Sequence, residues 1–105
     1  MRFERTESFK ADFRQLTKEE QEMFRTAALE FSAACDRHVN SRAAVPGKFR
    51  ARDVEGAKGI LEMTWSFAGP DGRATWEWTT VTVDGVTHPA VMWRRVGSHR
   101  IFSNP

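Results

Sequence analysis

The sequence predicts an α+β domain in which two N-terminal helices pack on one face of a mostly antiparallel sheet, in the order β-α-α-β-β-β. Apolar residues recur at helical spacing from about residue 8 to residue 40. Beyond Ile60, two turn sequences divide the chain into three segments of alternating pattern. The strands so defined gather an aromatic row that needs a cover, and the helices carry an apolar stripe that needs a floor.

Arg2-Phe3-Glu4-Arg5 alternates as a short first strand would. Ser8 can cap a short helix whose Phe9, Phe13 and Leu16 fall at i, i+4 and i+7. Thr17-Lys18-Glu19-Glu20 reads as a capping box that opens a second helix. Its stripe is Met23, Phe24, Ala27, Ala28, Phe31, Ala34 and Cys35, and it fades near Asn40. Leu29 points away from that stripe, either to pack on the first helix, which is the expectation, or to meet a partner.

Residues 39–57 hold Pro46, Gly47 and Gly56 and lack a clear period, although Phe49 to Val54 alternates like a short strand. Arg42, Lys48, Arg50 and Arg52, with Lys58 just after, make this the most basic stretch. Strands are expected over Ile60–Ala68, Arg73–Val83 and Val86–Val96. They are joined by Gly69-Pro70-Asp71-Gly72 and by Asp84-Gly85, a strong two-residue hairpin signal. Tight turns there set Trp65 opposite Trp76, Met63 opposite Trp78, Trp76 opposite Trp93 and Arg73 opposite Val96. One face then carries Leu61, Met63, Trp65, Phe67, Ala74, Trp76, Trp78, Val91 and Trp93. The other carries Glu62, Thr64, Ser66, Arg73, Thr75, Glu77 and Arg94. Val81 and Val83 break the parity, so a bulge near Thr79-Thr80 would exchange Arg94 for Arg95 on that polar face.

A chain of 105 residues, 40% hydrophobic with eight Phe and four Trp, suits one folded domain spanning 1–105. Its one cysteine, Cys35, has no partner for an internal disulfide, and no apolar run has the length of a membrane span. A cytoplasmic protein is the expectation, with no membrane partner. Cys35, His38, His88 and His99 show no paired metal-ligand spacing, so neither metal nor other cofactor is expected. Residues 1–36 hold six Lys/Arg against eight Asp/Glu, and residues 37–105 hold ten against six. That asymmetry suits a polyanionic partner for the second half, or simply a solvated basic surface.

Several segments in this order resemble the RelE/ParE family of toxins. They are Phe9-Lys10-Ala11-Asp12-Phe13-Arg14-Gln15-Leu16, Leu61-Glu62-Met63-Thr64-Trp65, Gly72-Arg73-Ala74-Thr75-Trp76, and the ending from Trp93 to Phe102. The resemblance covers nearly the whole chain. It implies the toxin of a type II toxin–antitoxin pair, neutralised by a cognate antitoxin protein. RelE-like members cut mRNA in the ribosomal A site, whereas ParE-like members inhibit DNA gyrase without being nucleases; the RelE-like branch is favoured here. Carried over by position, the cutting residues fall on Arg73 and His99, with RNA-binding help from Arg50, Arg52, Lys58 and Arg94. The chain has no tyrosine, and Phe102 stands where the family often has one, which leaves His99 for proton transfer. No small-molecule substrate is implied.

The chemistry suits these residue types. Attack by a 2′-hydroxyl needs a proton acceptor, a cation over the developing phosphorane charge and a donor for the leaving 5′-oxygen. An arginine binds two phosphate oxygens at once and stays charged, and a histidine titrates near neutrality. The alternatives are an arginine merely solvated beside a turn and an exposed tail histidine. Glu62 is expected to form an ion pair with Arg94 or Arg73 rather than to move protons. The tryptophans are expected in the core, and Cys35 as buried filler.

Overall fold

The computed structural model describes residues 1–41, 52–54, 56–65 and 72–105. It consists of β1 (Arg2–Arg5), α1 (Glu7–Gln15), α2 (Lys18–Ser41), β2 (Arg52–Asp53), β3 (Leu61–Thr64), β4 (Arg73–Val83), β5 (Val86–Gly97) and a 3-10 helix (His99–Ser103). The strands form one mixed sheet in the order β1-β5-β4-β3-β2, with β1 parallel to β5 and every other pair antiparallel. The expected α+β arrangement of two helices on a sheet is present, and no described helix is long and apolar enough to cross a membrane.

Helix α1 begins two residues earlier than Ser8 suggests. Thr6 is the cap: its hydroxyl accepts from the Phe9 amide at 3.0 Å and donates to the Arg94 carbonyl at 2.6 Å. One hydroxyl thus closes the helix end and ties it to β5, which a cap at Ser8 could not do. The second helix opens on its capping box, with the Thr17 amide on the Glu20 carboxylate at 2.9 Å and the Glu20 amide on the Thr17 hydroxyl at 3.1 Å.

Phe24, Ala27, Phe31, Ala34 and Cys35 of the α2 stripe are buried, while Met23 is exposed at its margin. Phe24 meets Trp65 and Trp93 edge-on at 6.1 and 5.3 Å, and Phe31 meets Trp76 at 5.1 Å. Such ring edges on ring faces add to the area these large side chains bury. Burial pushes the Cys35 thiol up to about 12, with neighbouring Asp36 acting in the same direction, so it is no nucleophile at neutral pH. Trp78 departs from the core expectation: it is exposed at the sheet margin, where the His38 ring stacks on it at 6.1 Å.

The β4–β5 hairpin turns on Asp84 and Gly85, at φ 51° and 78°, the pair of positive values that a type I′ turn requires. From that turn the register runs as expected through Trp78 opposite Val91 and Trp76 opposite Trp93. It then shifts between Thr75 and Trp76, not near Thr79-Thr80, and Arg94 becomes the extra residue. Beyond the bulge Thr75 faces Arg95, and Arg73 faces Gly97 instead of Val96.

The β3–β4 pairing also differs from expectation. Leu61 lies opposite Trp76 and Met63 opposite Ala74, so the register is displaced by four residues and the paired residues Leu61 to Thr64 keep their expected faces. The connecting residues 66–71, with most of the expected Gly-Pro-Asp-Gly turn, lie outside the described residues. The reason shows at Gly72, where an added Cβ would come 2.3 Å from the Trp65 ring. Trp65 folds over that glycine and donates from its indole nitrogen to the Arg73 carbonyl at 2.9 Å. Gly72 therefore serves a close approach rather than the tip of a turn.

Candidate functional site

The register sets two rows across the sheet face opposite the aromatic core. Arg52, Glu62, Thr75 and Arg95 are successive cross-strand partners in one row; Thr64, Arg73 and Gly97 form the next. Opposed residues share a face, so this is the hydrophilic surface expected from the sequence, with Arg95 occupying the register position expected of Arg94. The bulge keeps Arg94 close by: its guanidinium lies 3.6 Å from the Glu77 carboxylate, and its Nε donates to the Pro105 carbonyl at 3.1 Å. Of the two ion pairs expected for Glu62, with Arg94 or with Arg73, the one with Arg94 gives way to this Arg94–Glu77 pair, because the extra residue moves Arg94 away from the Glu62 row.

This face is far from open. Glu62, Thr64, Arg73 and Thr75 are all buried, with Arg73 only 4% exposed. Arg73 donates from Nη1 to the Thr64 hydroxyl at 3.0 Å and to the Gly72 carbonyl at 3.4 Å. Charged groups sink this far only when hydrogen-bonded, so Arg73 is held firmly rather than solvated beside a turn. The 3-10 helix packs on β4 and β5 beside it. Its buried Ile101 sits against Gly97, where an added Cβ would come 3.2 Å from the Ile101 methyl.

The backbone places His99 two residues beyond Gly97, the cross-strand partner of Arg73, at the start of the 3-10 helix. Arg73 and His99 are therefore brought to one end of one face. Arg52 stands on the same face at the β2 edge, opposite Glu62. Lys58 is exposed in the turn before β3, whose backbone is closed by the Ile60 amide on the Ala57 carbonyl. Arg50 lies outside the described residues. The described residues hold no cluster of three or more His, Cys, Asp or Glu able to take a metal ion.

Asp12 is the residue that reading the sequence missed. It falls within the apolar stripe of α1, between Phe9 and Phe13, and a lone carboxylate in such a stripe is itself a signal. Its Oδ2 accepts from Arg95 Nε at 2.6 Å and from the Val96 amide at 3.2 Å, and Oδ1 accepts from Arg95 Nη2 at 3.1 Å. The forked hydrogen bonds raise the pKa of Arg95 further and keep it charged. The third nitrogen, Nη1, donates to the Asn104 carbonyl at 3.0 Å, just past the 3-10 helix.

On the helix side of the sheet lies an apolar groove of about 370 Å³ between α1, α2 and β1. Phe13, Phe24, Trp93, Phe3 and Leu29 line it, and Arg5 and Arg25 stand among them. Phe3 is 57% and Leu29 75% exposed, so Leu29 does not pack on α1 as expected; it stands at the groove. Strand β1 beside it is an edge of the sheet.

No family profile, curated protein or solved structure matches this chain.

Proposed function

We propose that this chain is the toxin of a type II toxin–antitoxin pair, a RelE-like, metal-independent endonuclease that cuts ribosome-bound mRNA. The supporting observation is the meeting of Arg73 and the His99 backbone at one end of a face that also carries Arg52, Arg94 and Arg95. In the reaction the 2′-hydroxyl loses its proton and its oxygen attacks the adjacent phosphorus. The bond to the 5′-oxygen breaks, leaving a 2′,3′-cyclic phosphate and a protonated 5′-hydroxyl. His99 handles a proton, and Arg73 faces the charge that builds on the phosphorane. A guanidinium stays charged and can hold two phosphate oxygens at once, and because Arg73 is only 4% exposed, it acts on the phosphorane once RNA binding has displaced what covers it. The direct test is cleavage of ribosome-bound mRNA by the purified chain, with growth arrest on induction.

Contact with RNA phosphates requires a salt-dependent affinity. If Arg50 and Arg52 touch phosphates, replacing both by Ala should flatten the slope of log K against log salt by about one to two. An unchanged slope in filter-binding titrations removes the segment from the interface.

The antitoxin is the proposed occupant of the apolar groove. Its binding segment would be amphipathic and acidic, matching the exposed Phe3 and Leu29 and the cations Arg5 and Arg25, and the open edge of β1 offers backbone groups to an extended stretch. Leu29→Glu should leave the fold intact, since Leu29 is mostly exposed, yet raise the dissociation constant for the cognate antitoxin about tenfold or more. Unchanged affinity by calorimetry would place the antitoxin elsewhere.

A second reading has one observation in its favour. An exposed apolar groove lies on the helix side, away from Arg73, as suits a non-enzymatic inhibitor that binds a protein such as DNA gyrase.

A further inference from the structure

We infer that Asp12 is a positioning residue, which through Arg95 holds the 3-10 helix and its His99 at the Arg73 end of the sheet. The inference rests on the nuclease reading for the role of His99, but the clasp itself stands on geometry. The segment from Gly97 to Asn104 is short and returns over the strands it has just left, so its ends decide where His99 sits. The first end is held by Gly97 pairing with Arg73 and by the Val96 amide on Asp12. The second is held by the Asn104 carbonyl on Arg95 Nη1 and by the Asn104 amide on the Ile101 carbonyl at 3.1 Å. Each end thus has one link that leads back to the same carboxylate, since Arg95 is itself oriented by its two bonds to Asp12, beside the Arg94 bond to the Pro105 carbonyl and the Ile101 packing, which do not.

The residue types fit the task. An arginine fork can satisfy a carboxylate with two nitrogens and still offer a third to a carbonyl, which a lysine cannot do in the same geometry. The pair is shielded, with the Asp12 side chain 17% and the Arg95 side chain 25% exposed, so its geometry is more constrained than that of a surface ion pair. Asp12 also reaches the end of β5 that β1 leaves unpaired, because β1 pairs only with Ala90 to Trp93. Helix α1 thereby continues the edge where the strand stops, and the sheet's last turn of chain is anchored to the helix layer. Small displacements at such a hinge are amplified at the reacting atoms, where placement within an ångström governs the rate.

The test uses the full chain with Asp12→Asn, Arg95→Lys and the double variant. Asparagine still accepts from the Val96 amide, so Asp12→Asn removes the charge on the Arg95 fork while keeping the backbone bond. Two readouts are taken: amide exchange at residues 98–104 by NMR, and single-turnover cleavage of ribosome-bound mRNA over a range of complex concentration. Each single variant should speed exchange at Ile101 and Asn104. Each should also lower the maximal rate about ten- to a hundredfold, with little change in half-saturation. The double variant should be no worse than the poorer single one, since both break one link. Strictly additive effects, unchanged exchange at 98–104, or a faster cleavage rate would each overturn the proposal. A parent chain that fails to cut mRNA would sink the nuclease reading instead, and the exchange data would still decide whether Asp12 clasps the 3-10 helix.

Discussion

Arg73→Ala and His99→Ala are each expected to slow cleavage of ribosome-bound mRNA by about two to three orders of magnitude, the loss typical of removing a charge stabiliser or a proton-transfer group. The two variants should differ in stability. Arg73 is nearly fully buried and bonded to the Thr64 hydroxyl, so its truncation removes the donor from that buried oxygen and should cost about 1–3 kcal/mol, while the Gly72 carbonyl keeps the Trp65 amide. Arg73→Lys keeps a cation while losing the planar fork, which makes it the control for charge against geometry. Measured by urea denaturation beside the kinetics, a variant that is folded yet inactive separates chemistry from scaffolding. Folded Arg73→Lys and His99→Ala proteins that arrest growth as strongly as the parent would remove the nuclease reading and leave the protein-binding inhibitor.

Trp76→Ala should be the most damaging core change, at about 3–5 kcal/mol. Trp76 is 1% exposed and stands mid-sheet between Leu61 of β3 and Trp93 of β5. It receives the edge of Phe31 from α2, so its loss empties the junction of both layers. At this chain length such a cost is a large share of total stability, and a fall of many degrees in melting temperature is expected by circular dichroism. A shift of only a few degrees would mean that the aromatic row repacks around the gap.

The parts of the fold legible in the sequence are those specified by neighbours along the chain. The capping box at Thr17 and Glu20 and the Asp84-Gly85 turn each need only a few adjacent residues, and both formed as read. Alternation likewise assigned Trp65, Trp76 and Trp93 to the buried face, because a register error of an even number of residues leaves faces unchanged. What stayed hidden depends on tertiary contacts. The Thr6 cap follows from a bond to the Arg94 carbonyl, the long β3–β4 connection from Trp65 lying over Gly72, and the bulge from where the chain leaves β1 behind. Of the candidate site, the strand position of Arg73 and the nearness of His99 along the chain were readable. The burial of Arg73 was not, since a hydrophilic strand face gives no notice of what covers it. Asp12 and Arg95 come together from opposite ends of the chain, and local pattern has no hold on such a pair.

The parallel pairing of β1 with β5 sets an order of events during synthesis. Arg2 to Arg5 leave the ribosome well before their strand partners Ala90 to Trp93, which lie 88 positions further along the chain. Helices α1 and α2 can form early from local contacts, yet Phe9 and Phe24 find the Trp93 ring only when β5 has emerged. The nascent chain therefore carries an uncovered aromatic helix pair until β5 emerges. Arg73 and the segment bearing His99 likewise come together only once β5 has been made.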